Sequence, residues 1–334
     1  MSRRVTTHRY MELFACIGSS CPDHCCGGWK ITMSSKQAQR LTSVLSGPLQ
    51  TQVREDSNKR FRIDNSGERN CIFLSDENLC TIHRDHGEKF LPSICQNYPR
   101  KYRVVSDETE LIGQLSCPEV CRLVLTDSKA FEPTYISPHG EFSALEHPNN
   151  VFWQVFPKVR MIIQRILKSS KQKVPATLIH LFHFSTCIDP YYHLNCSHRD
   201  VSIIAKETKA FLSRSVQPIA IEHISMSKCY EFLHRSFSVL VQYTPKNQRF
   251  TSLIEEILQS YQVSQDGTDL DVQELLHLYL QRKSYFSSHF PDAIDQYWKN
   301  LSLYRILDHQ HNCSWKELFC ELIWLKAMFS ILCM

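Results

Sequence analysis

Nine of the chain's 15 cysteines fall in its first 121 residues, at Cys16, Cys21, Cys25, Cys26, Cys71, Cys80, Cys95, Cys117 and Cys121, in short groups separated by polar stretches. Thiolates set among Pro, Asp, His and Gly, as in Cys21-Pro22-Asp23-His24-Cys25-Cys26-Gly27-Gly28, suit soft or borderline ions such as zinc and iron, including iron–sulfur clusters. A segment with so little continuous apolar pattern is marginal by itself, and metal ligation is a usual source of the missing folding free energy. The expectation is a metal-stapled, loop-rich N-terminal region.

The remaining composition narrows the classes. The chain has 334 residues, 43% of them hydrophobic, enough for a substantial core and two subdomains. A net charge of +4 is spread without any run of five basic residues, which argues against nucleic acid as a partner. Met1-Ser2-Arg3-Arg4 is followed by His8, Arg9 and Glu12 rather than an apolar stretch, so no signal peptide is expected and the predicted location is cytoplasmic. In that reducing compartment an odd number of cysteines reads as metal ligands plus buried thiols, not a disulfide scaffold. No membrane span is expected: Leu318 to Met334 is strongly apolar but is interrupted by Glu321 and Lys326.

The pattern changes along the chain. Residues 1–125 hold the cysteine groups and short apolar runs such as Ile72-Phe73-Leu74, and residues 126–334 read as a helical region. Phe152, Val155, Phe156, Val159, Ile162, Ile163, Ile166 and Leu167 recur every three or four positions, with Pro157 expected to kink that helix or mark its start. Further stripes run through Tyr230 to Val241, Leu275 to Leu280 and the C-terminal segment, with a polar separator at Ser264 to Asp269. The predicted fold class is therefore mainly α, a cysteine-rich N-terminal region packed on a C-terminal helical bundle.

Four thiolates complete either an all-cysteine zinc site or a cubane iron–sulfur cluster, and spacing alone does not choose. Adjacent cysteines rarely serve one metal comfortably, so one of Cys25 and Cys26 is expected to bind while the other packs or serves a second centre. A radical-type cluster loop would need a third cysteine where Gly28 stands, and no G-x-G-x-x-G loop follows a strand. His24 and His83 are read chiefly as hydrogen-bonding neighbours of the thiols rather than ligands, and Trp29 as an anchor for the loop. Arg84, Arg100 and Arg103 are candidates to neutralise a thiolate cluster or bind a carboxylate, with solvated surface charge as the equal alternative.

Phe14-x-Cys16, Cys25-Cys26-Gly27-Gly28-Trp29-Lys30, Cys71-x-Phe73-Leu74, Cys80-x-x-His83, Cys95-x-x-Tyr98-Pro99-Arg100 and Leu115-Ser116-Cys117-Pro118-Glu119 together resemble the flagellin lysine-N-methylase family over about residues 8–125. More loosely, the cysteine order is similar to small zinc- or iron-chelating bacterial proteins. The first resemblance implies a cytosolic enzyme that transfers a methyl group from S-adenosylmethionine to flagellin lysines, with an iron–sulfur cluster of 4Fe-4S type held by cysteines. It carries the metal-ligand assignment onto Cys16, Cys21, Cys25, Cys26, Cys71, Cys80, Cys95 and Cys117, and leaves Cys121 out. Members of that family continue beyond the helix that ends here at Met334, so the resemblance also implies a C-terminally shortened chain. The cluster would bind the amino and carboxylate groups of S-adenosylmethionine or organise the fold. The alternatives are a non-catalytic zinc- or iron-binding protein and a zinc-stapled module whose helical region holds a partner. Glu12, Glu119 and Tyr98 lie beside the cysteine motifs and read as structural partners rather than catalytic groups.

Overall fold

The structure, a computed structural model, describes residues 5–27, 30–56, 58–63, 70–105, 108–140, 142, 144, 145, 150–193, 195–213, 248–260, 272–309 and 314–332. The fold is mainly α, and the described residues divide into two compact units, Met1–Lys158 and Val159–Met334. The division falls inside one helix, immediately past Pro157.

The first unit holds more strand than its apolar runs suggest. The strands β1 (Val5–His8), β5 (Arg100–Val105), β6 (Glu108–Gly113) and β7 (Pro133–Ile136) form a four-stranded sheet in the order β5-β6-β1-β7. Here β1 runs parallel to β6 and antiparallel to β7, and β5 and β6 form an antiparallel hairpin. The second sheet is small: β2 (Thr32–Met33), β3 (Val53–Glu55) and β4 (Phe61–Ile63) pair antiparallel in the order β2-β4-β3. Strands this short carry too few alternating positions to register as a period-2 pattern.

Two features lock the larger sheet. Arg103 and Glu110 stand directly opposite across the hairpin and form a buried ion pair at 2.7 Å, the arginine donating to a carboxylate that has lost its water. Gly113 ends β6 where α1 (Arg9–Glu12) and α5 (Pro118–Thr126) come close; a Cβ there would collide with Met11, Val120 and Tyr10, and the Tyr10 hydroxyl accepts the Gly113 N–H at 3.2 Å. The first unit also holds α2 (Ser35–Thr42), with a Ser34/Gln37 capping box, and the short helices α3 (Thr81–His86) and α4 (Ser93–Asn97). The side chains of Ile31, Met33, Leu41, Ile63, Phe73, Ile82 and Leu91 form the core beneath them.

Helix α6 (Val151–Ser169) buries Phe152, Val155, Phe156, Val159, Ile163 and Leu167, the face its periodicity predicts. Pro157 sits inside this helix, so it does not mark the start; it removes one ladder hydrogen bond where the chain passes between units.

The second unit is helical: α7 (Val174–Ile188), α8 (His198–Ser213), α9 (Gln248–Ser260), α10 (Val272–His289), α11 (Pro291–Leu307) and α12 (Trp315–Leu332). The heart of the unit is α7 against α12, which bury Leu178, Leu181, Phe184 and Ile188 on one side and Trp315, Leu318, Phe319 and Leu322 on the other. The start of α12 is secured twice. Ser314 and Glu317 bond each other's backbone N–H at 3.0 Å, and Asp189 at the end of α7 accepts the N–H groups of Trp315 at 3.2 Å and Lys316 at 2.8 Å. The stripe through Tyr230 to Val241 and the separator at Ser264 to Asp269 lie outside the described residues. No helix among the described residues is long and apolar enough to cross a membrane.

Candidate metal centre

Local turns, isolated bridges and hydrogen bonds bring the first two cysteine segments together. The loop after α1 carries Cys16, a single 3-10 turn at Gly18–Ser20 and Cys21, and Asp23 then accepts the His24 N–H at 2.8 Å to turn the chain into Cys25-Cys26. Gly27 pairs with Asn70 in an isolated bridge, and the Cys71 N–H donates to the Cys26 carbonyl at 2.7 Å, which places the second cysteine segment beside the first. Leu74 bridges Cys80, and Thr81 donates its N–H to the Phe73 carbonyl at 2.8 Å and its hydroxyl to the same oxygen at 3.1 Å. Phe73, only 2% exposed, anchors this turn in the core.

Cys26, Cys71, Cys80 and Cys95 all pack on that one apolar cluster. Burial is the largest cause pushing the Cys71, Cys80 and Cys95 thiols up, and each is raised further by the charge of its neighbours. Cys80 precedes α3, and the N–H groups of Ile82 and His83 pull in the other direction, favouring its thiolate, although neither makes a capping hydrogen bond to the sulfur.

A second neighbourhood contains Cys117 with Cys16 and Cys21. Cys117, 8% exposed, precedes Pro118 at the start of α5; burial raises it most, the N–H groups of Val120 and Glu119 oppose that, and the charges of Cys21 and Cys16 raise it again. Cys121, one helical turn on, is raised by burial alone. Tyr98 lies within electrostatic reach of both neighbourhoods: burial first, then the charges of Cys117, Cys25 and Asp23, push its phenol up to about 12, while its hydroxyl meets Ser116 Oγ at 3.2 Å.

The Cys25-Cys26 pair is asymmetric. A hydrogen bond from the Cys26 thiol brings Cys25 down to about 7 against the opposing effects of burial and Asp23, and holding that proton drives Cys26 strongly upward. Cys25 is exposed and poised as the thiolate, while Cys26 packs on the apolar cluster.

Among the described residues no three His, Cys, Asp or Glu side chains are spaced to grip an ion as they stand. The donor set nevertheless fits a soft or borderline metal. Several thiols crowd one another, and each thiolate formed makes the next harder to form; a bound cation reverses that repulsion and deprotonates them. His24 Nδ1 is buried beside Cys25 with no hydrogen-bond partner among the described residues. His83 is exposed at the end of α3. Gly28 and Trp29 lie outside the described residues.

The structure sorts the charged candidates. Arg84 is exposed and bonds its neighbour Asp85 at 2.7 Å; Arg103 belongs to the buried pair with Glu110; Arg100 lies over the Phe14 ring, 5.2 Å from its centroid. Glu119 is held below the usual carboxylate range by Arg122, 2.7 Å away, which commits it structurally. Sequence reading missed the cysteines' place at helix starts, although Cys117-Pro118-Glu119, with Pro at the first helical position and an acid in the first turn, spells that start plainly.

Residues 15–122 match a protein family named CxxCxxCC and described as "Putative zinc- or iron-chelating domain". Over 135 residues the chain is 31% identical to the flagellar biosynthetic protein FliU of Salmonella muenchen, an alignment covering 38% of this chain and 79% of that protein. It is also 31% identical over 135 residues to lysine-N-methylases of Salmonella typhimurium and Salmonella choleraesuis, where the match spans 33% of each relative's length. No solved structure matches the chain. The identity to FliU across most of that protein's length, with the two lysine-N-methylases aligned over a stretch of the same size, places this chain in the lysine-N-methylase family.

Proposed function

We infer that the protein is an S-adenosylmethionine-dependent protein lysine N-methyltransferase acting on flagellin, with an iron–sulfur cluster of 4Fe-4S type held from Cys16, Cys21, Cys25, Cys26, Cys71, Cys80, Cys95 and Cys117. The observation that carries this reading is the convergence of those eight thiols, from four separate chain segments, into two adjoining neighbourhoods in a chain related to lysine-N-methylases. A structural zinc and a cubane cluster each take four cysteines, so eight thiols exceed the ligands of one centre, and the choice of iron–sulfur over zinc rests on the kinship to lysine-N-methylases. The flagellar name of FliU supports a flagellar protein as substrate.

When bound, the cluster would supply a cross-link between the cysteine loops and a soft metal centre. The chain's own groups set the rest. A lysine amine attacks only when neutral, and its ordinary pKa is about 10.4, so the site must favour the deprotonated amine. Glu119 is tied to Arg122 and is not a free base. Tyr98, pushed up to about 12, stays protonated at neutral pH and can donate a hydrogen bond but not take a proton. Glu12 is exposed. With two of the three acidic neighbours committed, the amine proton is best released to water before the methyl group moves.

A second reading is a non-catalytic zinc- or iron-binding protein with a helical partner-binding region. It is favoured by one observation: the family match stops at residue 122 and is described by metal chelation alone. Incubating anaerobically purified protein with S-adenosylmethionine and flagellin, then mapping lysine methylation by mass spectrometry, separates the two. Methylated lysines that vanish without the methyl donor support the enzyme; metal-loaded protein giving none supports the binding protein.

A further inference from the structure

Three arginines lie beside the cysteine motifs, and the fold leaves them in different states. Arg84 donates to Asp85 at 2.7 Å and 3.2 Å on the surface, with Glu77 at 4.0 Å. Arg103 is neutralised by Glu110 inside the hairpin. Arg100 is half-buried, and among the described residues its guanidinium meets no carboxylate and donates no hydrogen bond; its contact is the face of Phe14.

The position of that guanidinium is tightly defined. Arg100 opens β5 in register with Gly113, five residues after Cys95 and directly after Tyr98-Pro99. The Gln114 N–H donates to the Pro99 carbonyl at 2.8 Å, and Tyr98 meets Ser116 at 3.2 Å, so the start of the strand is fastened to the residues that precede Cys117. Phe14 stands two residues before Cys16. Thus the cation is held where the segments bearing Cys95, Cys117 and Cys16 meet. The ring restrains the guanidinium, and with no acceptor for it among the described residues its N–H fork is available to a planar, two-oxygen acceptor.

We propose that Arg100, lying over the Phe14 ring at the junction of the cysteine segments, is the anchor for the α-carboxylate of S-adenosylmethionine. The inference rests on the methyltransferase reading and adds the residue that orients the methyl donor. It also distinguishes a carboxylate held by the protein from one held by iron.

The test is a binding cycle on the full chain purified without oxygen, using S-adenosylmethionine and its decarboxylated analogue as probes, with wild type, Arg100→Gln and Arg100→Lys. A charge-assisted, two-pronged contact predicts that wild type prefers S-adenosylmethionine about 10- to 100-fold and that Arg100→Gln binds both probes alike. Arg100→Lys, which keeps the charge and loses the fork, should retain a preference of only a few-fold. Iron and sulfide per chain should not change in either variant. If wild type binds the two probes equally, or if Arg100→Gln keeps the full preference because iron holds the carboxylate, the inference fails while the methyltransferase reading stands. If Arg100→Gln lowers metal content and weakens both probes in parallel, Arg100 serves the thiolates and the inference fails. If wild type binds neither probe, the methyltransferase reading falls and takes the inference with it.

Discussion

The two units reach order by different routes. In the helical unit α7 and α12 bury large side chains against each other, with Trp315, Phe184, Phe319 and Ile188 fully removed from water. Apolar burial of this kind supplies its own stability. In the cysteine-rich unit the stretch from Cys16 to the end of α4 contributes helices of only eight, six and five residues, a three-stranded sheet of two- and three-residue strands, and one small apolar cluster that includes thiols. Its order depends on single hydrogen bonds between loops and on whatever the thiols hold. Packing alone suffices for the first region; the second is built to be completed by a ligand.

The largest expected effect is therefore metal removal. Chelation without oxygen should abolish hydrogen-exchange protection across residues 70–97 while leaving α7 and α12 protected; structural metal sites contribute on the order of 10 kcal/mol in small metal-dependent folds. Equal protection of residues 70–97 with and without metal would break the comparison.

The converse test is Trp315→Ala, which empties the centre of the helical unit and should cost about 3–5 kcal/mol without changing metal content. Thermal unfolding followed by circular dichroism, with metal analysis alongside, checks both halves of that statement. Arg103→Ala probes the sheet of the first unit. It removes the cation from a buried ion pair and should cost about 3–5 kcal/mol, read in the same melt; a cost below about 1 kcal/mol would mean that water reaches the pair.

Asp189→Ala should weaken α12 by about 1–2 kcal/mol, the loss of a helix cap. Burial is the main cause raising Asp189 above the usual carboxylate value, only partly offset by the N–H groups it accepts. The protonated acid is thus favoured in the folded state. That contribution is fully present below the unfolded value, near 3.8, and fades as pH rises through the folded one, a slope that Asp189→Ala should flatten.

The smallest effect concerns one proton. In metal-free protein Cys25, brought down to about 7 by the Cys26 thiol, should be the first cysteine alkylated by iodoacetamide, with half-maximal rate near pH 7. Cys26→Ala removes the donor and should move that midpoint upward. An unmoved midpoint would show that the pair does not share its proton as described.

How much of this was legible in the sequence follows the same division. The face of α6 was readable from its period: Phe152, Val155, Phe156, Val159, Ile163 and Leu167 are buried, while Ile162 and Ile166 of the same stripe are half-buried at its edge. The Ser314-x-x-Glu317 start of α12 also stands in the sequence, whereas its second cap, Asp189, is 126 residues from Trp315 and could not be paired with it by pattern. The two sheets were missed because β2, β3 and β4 are too short to alternate and β1 is joined to β6 by a pairing of residues more than a hundred positions apart. The cysteines announced a metal site by type and grouping. Their division into two neighbourhoods did not show, since it depends on the Gly27 to Asn70 bridge and on Tyr98 reaching Ser116. Likewise, only the fold separates Arg100 from Arg84 and Arg103, because what distinguishes them is the presence of a carboxylate opposite.

The central claim is that the thiols of the first unit hold an iron–sulfur cluster, and it is tested most directly by iron, zinc and acid-labile sulfide per chain in protein purified without oxygen, with its visible absorption spectrum. The account predicts about four iron and four sulfide per chain and a broad thiolate-to-iron absorption band that disappears on chelation. Zinc bound without sulfide would contradict it and leave a metal-stapled binding protein in its place.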